Sequence, residues 1–130
     1  MKKLLSTAIA VLSLTSLQAL AGSPVHIWKC QINDDMGEEE LIEYSNKWAA
    51  EAAKVDGGAK MSNQIYFPVA AAADGKGTDL LFISTWPSFA DYGKFWDAYP
   101  ESDAAAMEGG AMSCHGSQLW EAMNLSLIHI

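Results

Sequence analysis

The segment DLLFISTWPSFADY, residues 79–92, decides the fold. Residues 79–86 are almost continuously apolar, which is typical of a strand covered on both faces and therefore central in a sheet. Pro87 ends this strand, and Ser88 with Asp91 three residues later forms the pattern of a helix N-cap. The segment therefore predicts a central strand that turns directly into a helix.

Two helices are predicted from apolar residues that recur every three or four positions. In the second helix these residues are aromatic, they continue until Pro100, and we expect them to pack in the core. They are Phe89, Tyr92, Phe95, Trp96 and Tyr99. The first helix follows a D-x-x-E capping pattern, Asp35 with Glu38, and ends at the glycine pair 57–58. Its apolar stripe consists of Leu41, Tyr44 or Ser45, Trp48, Ala52 and Val55.

Three further strands surround these elements. Residues 25–32 and 117–123 have strand composition, and 63–71 forms an edge strand because Pro68 cannot donate a ladder hydrogen bond. Residues 74–77 read as a turn and 101–107 as one or two helical turns. The order strand, helix, strand, strand, helix, strand predicts a split βαβ unit with a four-stranded antiparallel sheet.

In this order the chain resembles the dimeric α/β barrel superfamily of ferredoxin-like domains. The likeness rests on the polar turn with an acidic helix start after the first strand, and on TWPSFADY at 85–92. It spans nearly all of 25–123. The resemblance implies an α+β, ferredoxin-like βαββαβ fold whose sheet pairs with that of a second copy to form a dimeric α/β barrel.

Alternation along the strands divides the side chains into two faces. We expect the more apolar set to meet the helices: Trp28, Cys30, Ile32, Ile65, Phe67, Val69, Leu81, Ile83, Trp120 and Ala122. The opposite set is Ile27, Lys29, Gln31, Gln64, Tyr66, Leu80, Phe82, Ser84, Trp86, Leu119 and Glu121. Because this second face mixes large apolar with polar side chains, we expect a homodimer to cover it, alone or together with a small-molecule pocket.

Cys30 and Cys114 fall on or beside strands that the topology makes antiparallel neighbours. In an oxidising compartment such a pair normally closes, so we predict a disulfide, with a free buried pair and a metal or redox role as alternatives. A metal set that adds His26 and His115 is disfavoured because His26 lies roughly 13 Å along the strand from Cys30. We predict no metal site, His26 at the surface or a strand end, and His115 in a turn.

Residues 1–21 read as a bacterial-type export signal, with Lys2 and Lys3, an apolar run and the small-x-small site at 19–21. We therefore expect a periplasmic or secreted protein that begins at Gly22 and does not stay in the membrane. Residues 22–124 suffice for one ferredoxin-like domain. Residues 125–130 resemble a translated sequencing adapter, which predicts a non-native tail.

The charge of the chain limits its partners. The net charge of −8 becomes −10 when Lys2 and Lys3 leave with the signal, and the sequence contains no arginine. Nucleic-acid and phosphate recognition depend on positive patches and on the guanidinium fork. Nucleic acid, nucleotides and anionic lipid are therefore not expected as partners.

The resembled superfamily includes cofactor-free antibiotic-biosynthesis monooxygenases and heme-degrading monooxygenases. The heme-binding branch needs a histidine on the second helix, and residues 89–99 contain none, so no cofactor is predicted. The monooxygenase branch implies tryptophan and tyrosine around an apolar cleft. By that analogy the candidate ligand-binding residues are Lys29, Gln31, Tyr66, Ser84, Trp86 and Tyr92.

Three functions fit these observations. The first is an exported homodimer that binds a small hydrophobic or aromatic ligand in a pocket formed on dimerisation. The alternatives are a cofactor-independent monooxygenase-like enzyme and a structural or protein-interaction domain without a ligand. No catalytic residue is nominated, because no Ser/His/Asp order, glycine-rich phosphate loop or HExxH motif occurs.

Overall fold

The computed structural model describes residues 22–70 and 78–125. The predicted export signal, the turn at 74–77 and residues 126–130 of the predicted tail lie outside the described residues. The strands are β1 (Ser23–Ile32), β2 (Ser62–Tyr66), β3 (Leu80–Thr85) and β4 (Met112–Ala122). The helices are α1 (Glu38–Ala52), α2 (Phe89–Ala98) and α3 (Asp103–Ala106), with a 3₁₀ turn at Tyr99–Glu101.

The four strands form one sheet in the order β2-β3-β1-β4, with antiparallel pairing throughout. This confirms the predicted α+β ferredoxin-like fold, with β3 central and β2 at an edge. β2 ends at Tyr66, so Pro68 lies beyond the strand instead of inside it. β4 begins at Met112, five residues earlier than predicted, and therefore contains Cys114.

The two helix starts differ in how they are capped. The Ser88 hydroxyl accepts a 3.1 Å hydrogen bond from the Asp91 amide, which confirms the predicted cap of α2. The predicted cap of α1 is wrong, because its N-cap is Gly37 and no side chain caps it. Three glutamates in its first turn provide negative charge at the positive end of the helix dipole instead.

Two substitutions test this difference. Ser88→Ala removes the acceptor of the Asp91 amide and is expected to lower the free energy of unfolding by about 1 kcal/mol. Asp35→Ala removes no cap, so its effect should stay within about 0.5 kcal/mol. Urea denaturation of both variants checks the pair, and equal losses would show that Asp35 does support α1.

The face predicted for β3 is wrong. Trp28 pairs with Phe82 and Cys30 with Leu80, so Leu80 and Phe82 face the helices, as Trp86 does beyond the strand. Leu81 and Ile83 consequently lie on the other face, which we call the open face. The physical reason is that β3 is apolar at nearly every position. Its composition therefore does not alternate, and the sequence does not show which of its residues face the helices.

The face predicted for the end of β4 is also wrong. The β1–β4 register shifts between Lys29 and Cys30, and a bulge of this kind exchanges the two faces of a strand. Trp120 pairs with Val25 and Ala122 with Ser23, which places both on the open face. Leu119 and Glu121 correspondingly project to the helix side.

The core lies between the sheet and the helices. The predicted stripe of α1 is confirmed, with its members buried or partly buried against the sheet. Phe95 and Tyr99 are buried as predicted for the second helix, whereas Phe89 at its start is 45% exposed. The fully buried residues with the largest side chains include Trp86, Phe95, Leu41 and Leu80.

Candidate functional site

Five aromatic side chains form a closed circuit of ring contacts between the sheet and the helices. In order around the circuit they are Trp28, Phe82, Trp48, Tyr99 and Trp96. Neighbouring ring centroids lie 5.0–6.3 Å apart, and neighbouring ring planes are inclined by 54–87°. We call this group the aromatic cage. Its members come from five different elements: β1, β3, α1, the 3₁₀ turn and α2.

The aromatic cage lines a cavity of about 520 Å³. Tyr44 and Ser45 of α1 complete its wall, and residues 107–114, at the end of α3 and the start of β4, line the rest. Such a volume is in the range of small-molecule sites and far exceeds the voids of a close-packed core. The five aromatic rings therefore form one part of the wall of a cavity, beside the residues of 107–114.

Hydrogen bonds from two elements hold the segment 107–111 at the cavity. The Tyr44 hydroxyl donates to the Met107 carbonyl at 2.7 Å. Asn33 donates through its side-chain amide to the Gly109 carbonyl and through its backbone amide to the Ala111 carbonyl, both at 3.0 Å. Gly109 has φ +79°, a conformation that favours glycine and reverses the chain here. The turn between α3 and β4 is thus held by hydrogen bonds to α1 and to Asn33, the residue that follows β1.

Tyr99 is the titratable group most strongly affected by the cavity. Its hydroxyl oxygen accepts a 3.2 Å hydrogen bond from the Trp48 indole. Burial raises the pKa of the Tyr99 phenol above its ordinary value of 10.0, and the Trp48 hydrogen bond opposes the rise. The Glu108 carboxylate adds to the rise, because it accepts a hydrogen bond from the phenol and is negatively charged. Tyr99 is therefore a neutral phenol at physiological pH, able to donate its proton in a hydrogen bond.

Stability should consequently fall in alkaline solution. Because the folded-state pKa of Tyr99 is raised, its stabilising contribution is complete below pH 10.0 and is lost as the pH rises towards the folded-state value. We expect the melting temperature of wild type to decline more steeply above pH 10.0 than that of Tyr99→Phe. Parallel declines in thermal melts between about pH 8 and 11, a range that spans the ordinary pKa of tyrosine, would contradict this assignment.

Ser45 supplies a second polar group to the cavity wall. Among the described residues, the buried hydroxyl of Ser45 has no hydrogen-bond partner. A buried hydroxyl left without a partner carries a desolvation cost, which a bound polar group or water would relieve. Ser45, like the buried Trp96 indole N–H that also has no partner among the described residues, therefore offers a point of polar attachment in the wall.

The six predicted ligand-binding residues do not line this cavity. Lys29, Gln31 and Tyr66 lie on the open face by their register in the sheet. The other three lie on the helix side and contact the protein itself. The Ser84 hydroxyl donates to Asn63 at 2.6 Å, the Trp86 ring packs 5.3 Å from Phe95, and Tyr92 shares a 3.2 Å hydrogen bond with His26. Their role in ligand binding stays a prediction.

The sequence reasoning missed the aromatic cage because it assigned all five residues to core or sheet faces. Periodicity shows that a ring points inward, but it does not show whether rings from separate elements meet or leave space. The available signal was the number of large aromatics directed to one side: five tryptophans occur in 130 residues, and three of them belong to the aromatic cage.

The predicted disulfide is confirmed. Cys30 and Cys114 are bonded across β1 and β4, and Cys114 also lines the cavity. His26 is not an isolated strand-end residue, since its ring stacks 3.9 Å from Trp28 and burial lowers its pKa. His115 lies in β4 instead of a turn and contacts the Thr78 hydroxyl at 3.1 Å.

Two surveys of the described residues bear on ligands and membranes. No group of three or more His, Cys, Asp and Glu side chains within 22–70 and 78–125 is placed to hold a metal ion. No helix in that part of the chain combines the length and the apolar character needed to cross a bilayer.

Solved structures share this fold. A protein from Shewanella loihica PV-4 that is provisionally named a monooxygenase superimposes with a TM-score of 0.53 at 19% identity, over 82% of this chain and 99% of its own. SnoaB, a cofactor-independent oxygenase from Streptomyces nogalater, gives 0.50 at 11% identity, over 84% and 100%. A protein from Arabidopsis thaliana gives 0.53 at 15% identity, over 83% and 99%.

The sequence itself matches no family model and no curated protein. At identities of 11–19%, the structural likeness establishes a shared fold and nothing about activity. The shared fold is the α+β ferredoxin-like fold predicted from the sequence, and membership of the dimeric α/β barrel superfamily stays a prediction.

Proposed function

We propose that the protein binds a small, largely apolar ligand, about the size of 1-naphthol, against the aromatic cage. The observation that carries this proposal is the group of five contacting aromatic rings in the wall of a cavity of about 520 Å³. Aromatic walls with a few polar groups are the usual lining of small-molecule sites. The Tyr99 phenol and the Ser45 hydroxyl supply those groups here. The cavity lies within one protomer, so it differs from a pocket formed on dimerisation.

Binding of 1-naphthol without oxygen tests the proposal. We expect saturable binding by calorimetry. The affinity of Trp48→Leu should be about tenfold weaker or more, because one aromatic wall of the site is lost. Trp120→Leu is the matched control, since Trp120 lies on the open face. Absence of binding by wild type would refute the proposal. Loss of binding in Trp120→Leu with retention in Trp48→Leu would place the site on the dimer face instead.

We also propose that the open face is covered by a second copy of the chain. Trp120 and Tyr66 are 56% and 51% exposed there, and Ile27 and Leu81 beside them are partly exposed, whereas Ile83 is buried. A face of this composition is unfavourable in water, and the fold shared with the dimeric α/β barrel type favours a homodimer as its cover. Sedimentation equilibrium should give twice the chain mass, and Trp120→Lys should give a monomer. A wild-type monomer at micromolar concentration would refute the homodimer.

Export is proposed on the basis of residues 1–21 and is compatible with the Cys30–Cys114 disulfide, because such bonds persist in oxidising compartments. Expression of the full chain in a bacterium should yield a periplasmic product whose first residue is Gly22. Mass spectrometry checks this, and a cytoplasmic product that retains residues 1–21 would refute it.

A second candidate function is a cofactor-independent oxygenase in the same cavity. SnoaB, described as such an oxygenase, shares the fold over 84% of this chain. In the simplest balanced reaction of a naphthol, one atom of O₂ enters the ring carbon opposite the hydroxyl. The other oxygen leaves as water with two hydrogens from the substrate, which becomes a quinone. The aromatic cage would hold the substrate and exclude water, and the Tyr99 phenol would donate a hydrogen bond to its oxygen.

Oxygen consumption separates this candidate from binding alone. Incubation of 1-naphthol with protein and O₂ should consume one O₂ for each 1,4-naphthoquinone formed, and Tyr99→Phe should slow turnover more than it weakens binding. Anaerobic binding without any oxygen consumption in air, over a panel of phenols and quinols, would remove the oxygenase and leave the binding function.

A further inference from the structure

The charge around the cavity is one-sided. Among the described residues that line it, Glu108 is the only charged side chain, and no lysine lines it. The wider sequence reinforces this sign, with sixteen acidic residues against eight lysines and no arginine. An anionic ligand in the cavity would therefore meet a carboxylate and no compensating cation.

The aromatic cage adds to the same preference. The face of an aromatic ring carries negative electrostatic potential, and indole rings attract cations most strongly. Three of the five cage rings are indoles, and their planes are inclined to one another instead of stacked in parallel pairs. Aromatic rings that line one cavity from several elements are the kind of wall with which proteins recognise alkylated ammonium groups.

Hydrogen-bond donors in the wall are partly engaged within the protein. The Trp48 indole donates to the Tyr99 hydroxyl, and the Tyr44 hydroxyl donates to the Met107 carbonyl. These donors are not available to an anion without breaking an existing hydrogen bond, which is costly for a buried group. The Ser45 hydroxyl and the Trp96 indole N–H, in contrast, have no partner among the described residues. The Glu108 carboxylate, which accepts a hydrogen bond from the Tyr99 phenol, is the charged acceptor at the cavity.

We propose that the ligand of the aromatic cage is an organic cation, an alkylated or aromatic ammonium compound whose charge lies against the indole rings and near Glu108. This inference rests on the proposed binding function, because it specifies the chemical class of ligand for the same cavity. It assigns Glu108 as the residue that selects for positive charge and the three indoles as the surface that replaces water around the ammonium group.

A matched pair of probes isolates the charge. Phenyltrimethylammonium and tert-butylbenzene have nearly the same shape, and differ by the replacement of a positively charged nitrogen with carbon. We expect the cation to bind about tenfold more tightly, in line with a desolvated cation–aromatic interaction. We also expect its affinity, and not that of the neutral probe, to fall as salt concentration rises.

Two variants with the same change in net charge isolate Glu108. Glu108→Gln should weaken phenyltrimethylammonium binding by about threefold or more and leave tert-butylbenzene unchanged, as removal of one partly exposed charge predicts. Glu101→Gln, which lies outside the cavity lining, should leave both affinities unchanged. Equal losses of cation affinity in the two variants would refute a specific role for Glu108.

The outcomes separate this inference from the function on which it rests. Equal affinities for the two probes, or tighter binding of 1-naphthoate, would overturn the cationic ligand and leave the aromatic cage as a site for neutral or anionic ligands. Failure of every probe, 1-naphthol included, would overturn the proposed function itself. Tighter binding of the cation with loss in Glu108→Gln supports both.

Discussion

Phe95→Ala is expected to lower the free energy of unfolding by about 3–5 kcal/mol, the usual cost of deleting a buried aromatic ring. Phe95 is fully buried, and its ring lies 5.2–5.3 Å from those of Trp86, Trp96 and Tyr99. Two of these neighbours belong to the aromatic cage, so the vacated space also removes support from the cavity wall. Chemical denaturation monitored by circular dichroism measures the loss.

Phe89→Ala on the same helix is the matched control. Phe89 is 45% exposed, and we expect its replacement to cost about 1 kcal/mol or less. The same Phe→Ala change at the two positions therefore shows which side of α2 faces the core. Similar losses for the two variants would show that α2 is rotated relative to the arrangement described above.

Removal of the Cys30–Cys114 disulfide is expected to destabilise the protein by about 4 kcal/mol in the chain-entropy model. The two cysteines are separated by 84 residues, so the bond closes most of the described domain and greatly restricts the unfolded chain. Cys30→Ala/Cys114→Ala should show this loss in chemical denaturation. Its stability should not change with reductant, whereas that of wild type should fall to a similar value when reduced.

An unchanged stability in the double variant would contradict this account of the disulfide. Free thiols in the unfolded, non-reduced wild type would exclude the bond itself. Because Cys114 also lines the cavity, the double variant should additionally weaken 1-naphthol binding. Loss of stability with full retention of binding would show that the disulfide stabilises the fold but does not affect ligand binding in the cavity.

The fold was predictable where local signals are strong. The DLLFISTW strand and the Ser88 cap act within a few residues, and the predicted order of elements follows from such signals, whereas Pro68 lies beyond β2 and does not mark its edge. The Cys30–Cys114 bond was predictable for a related reason, because the topology places the two strands side by side. The strand and cap signals do not depend on the rest of the structure, whereas the disulfide prediction depended on the predicted strand order.

The site was not predictable to the same degree. It depends on which face of the sheet each strand residue lies on, and on how side chains from separate elements pack together. β3 is apolar on both faces, so Phe82 was assigned to the wrong one, and the bulge after Lys29 reversed the assignment of Trp120. A single residue of phase error exchanges the faces of a strand. The circuit that joins Trp48 to Phe82 and Tyr99 depends on distances between separate elements. The spacing of residues along the chain gives no information about those distances.

The most direct test of the aromatic cage as a ligand site is the two-dimensional proton–nitrogen NMR spectrum of the tryptophan side chains. The five indole N–H groups report from the cage (Trp28, Trp48 and Trp96), from the core (Trp86) and from the open face (Trp120). Titration with 1-naphthol under nitrogen should shift the three cage signals together and saturate, while the Trp120 signal stays in place. Movement of Trp120 alone, or of no indole signal at saturating probe, would contradict the account.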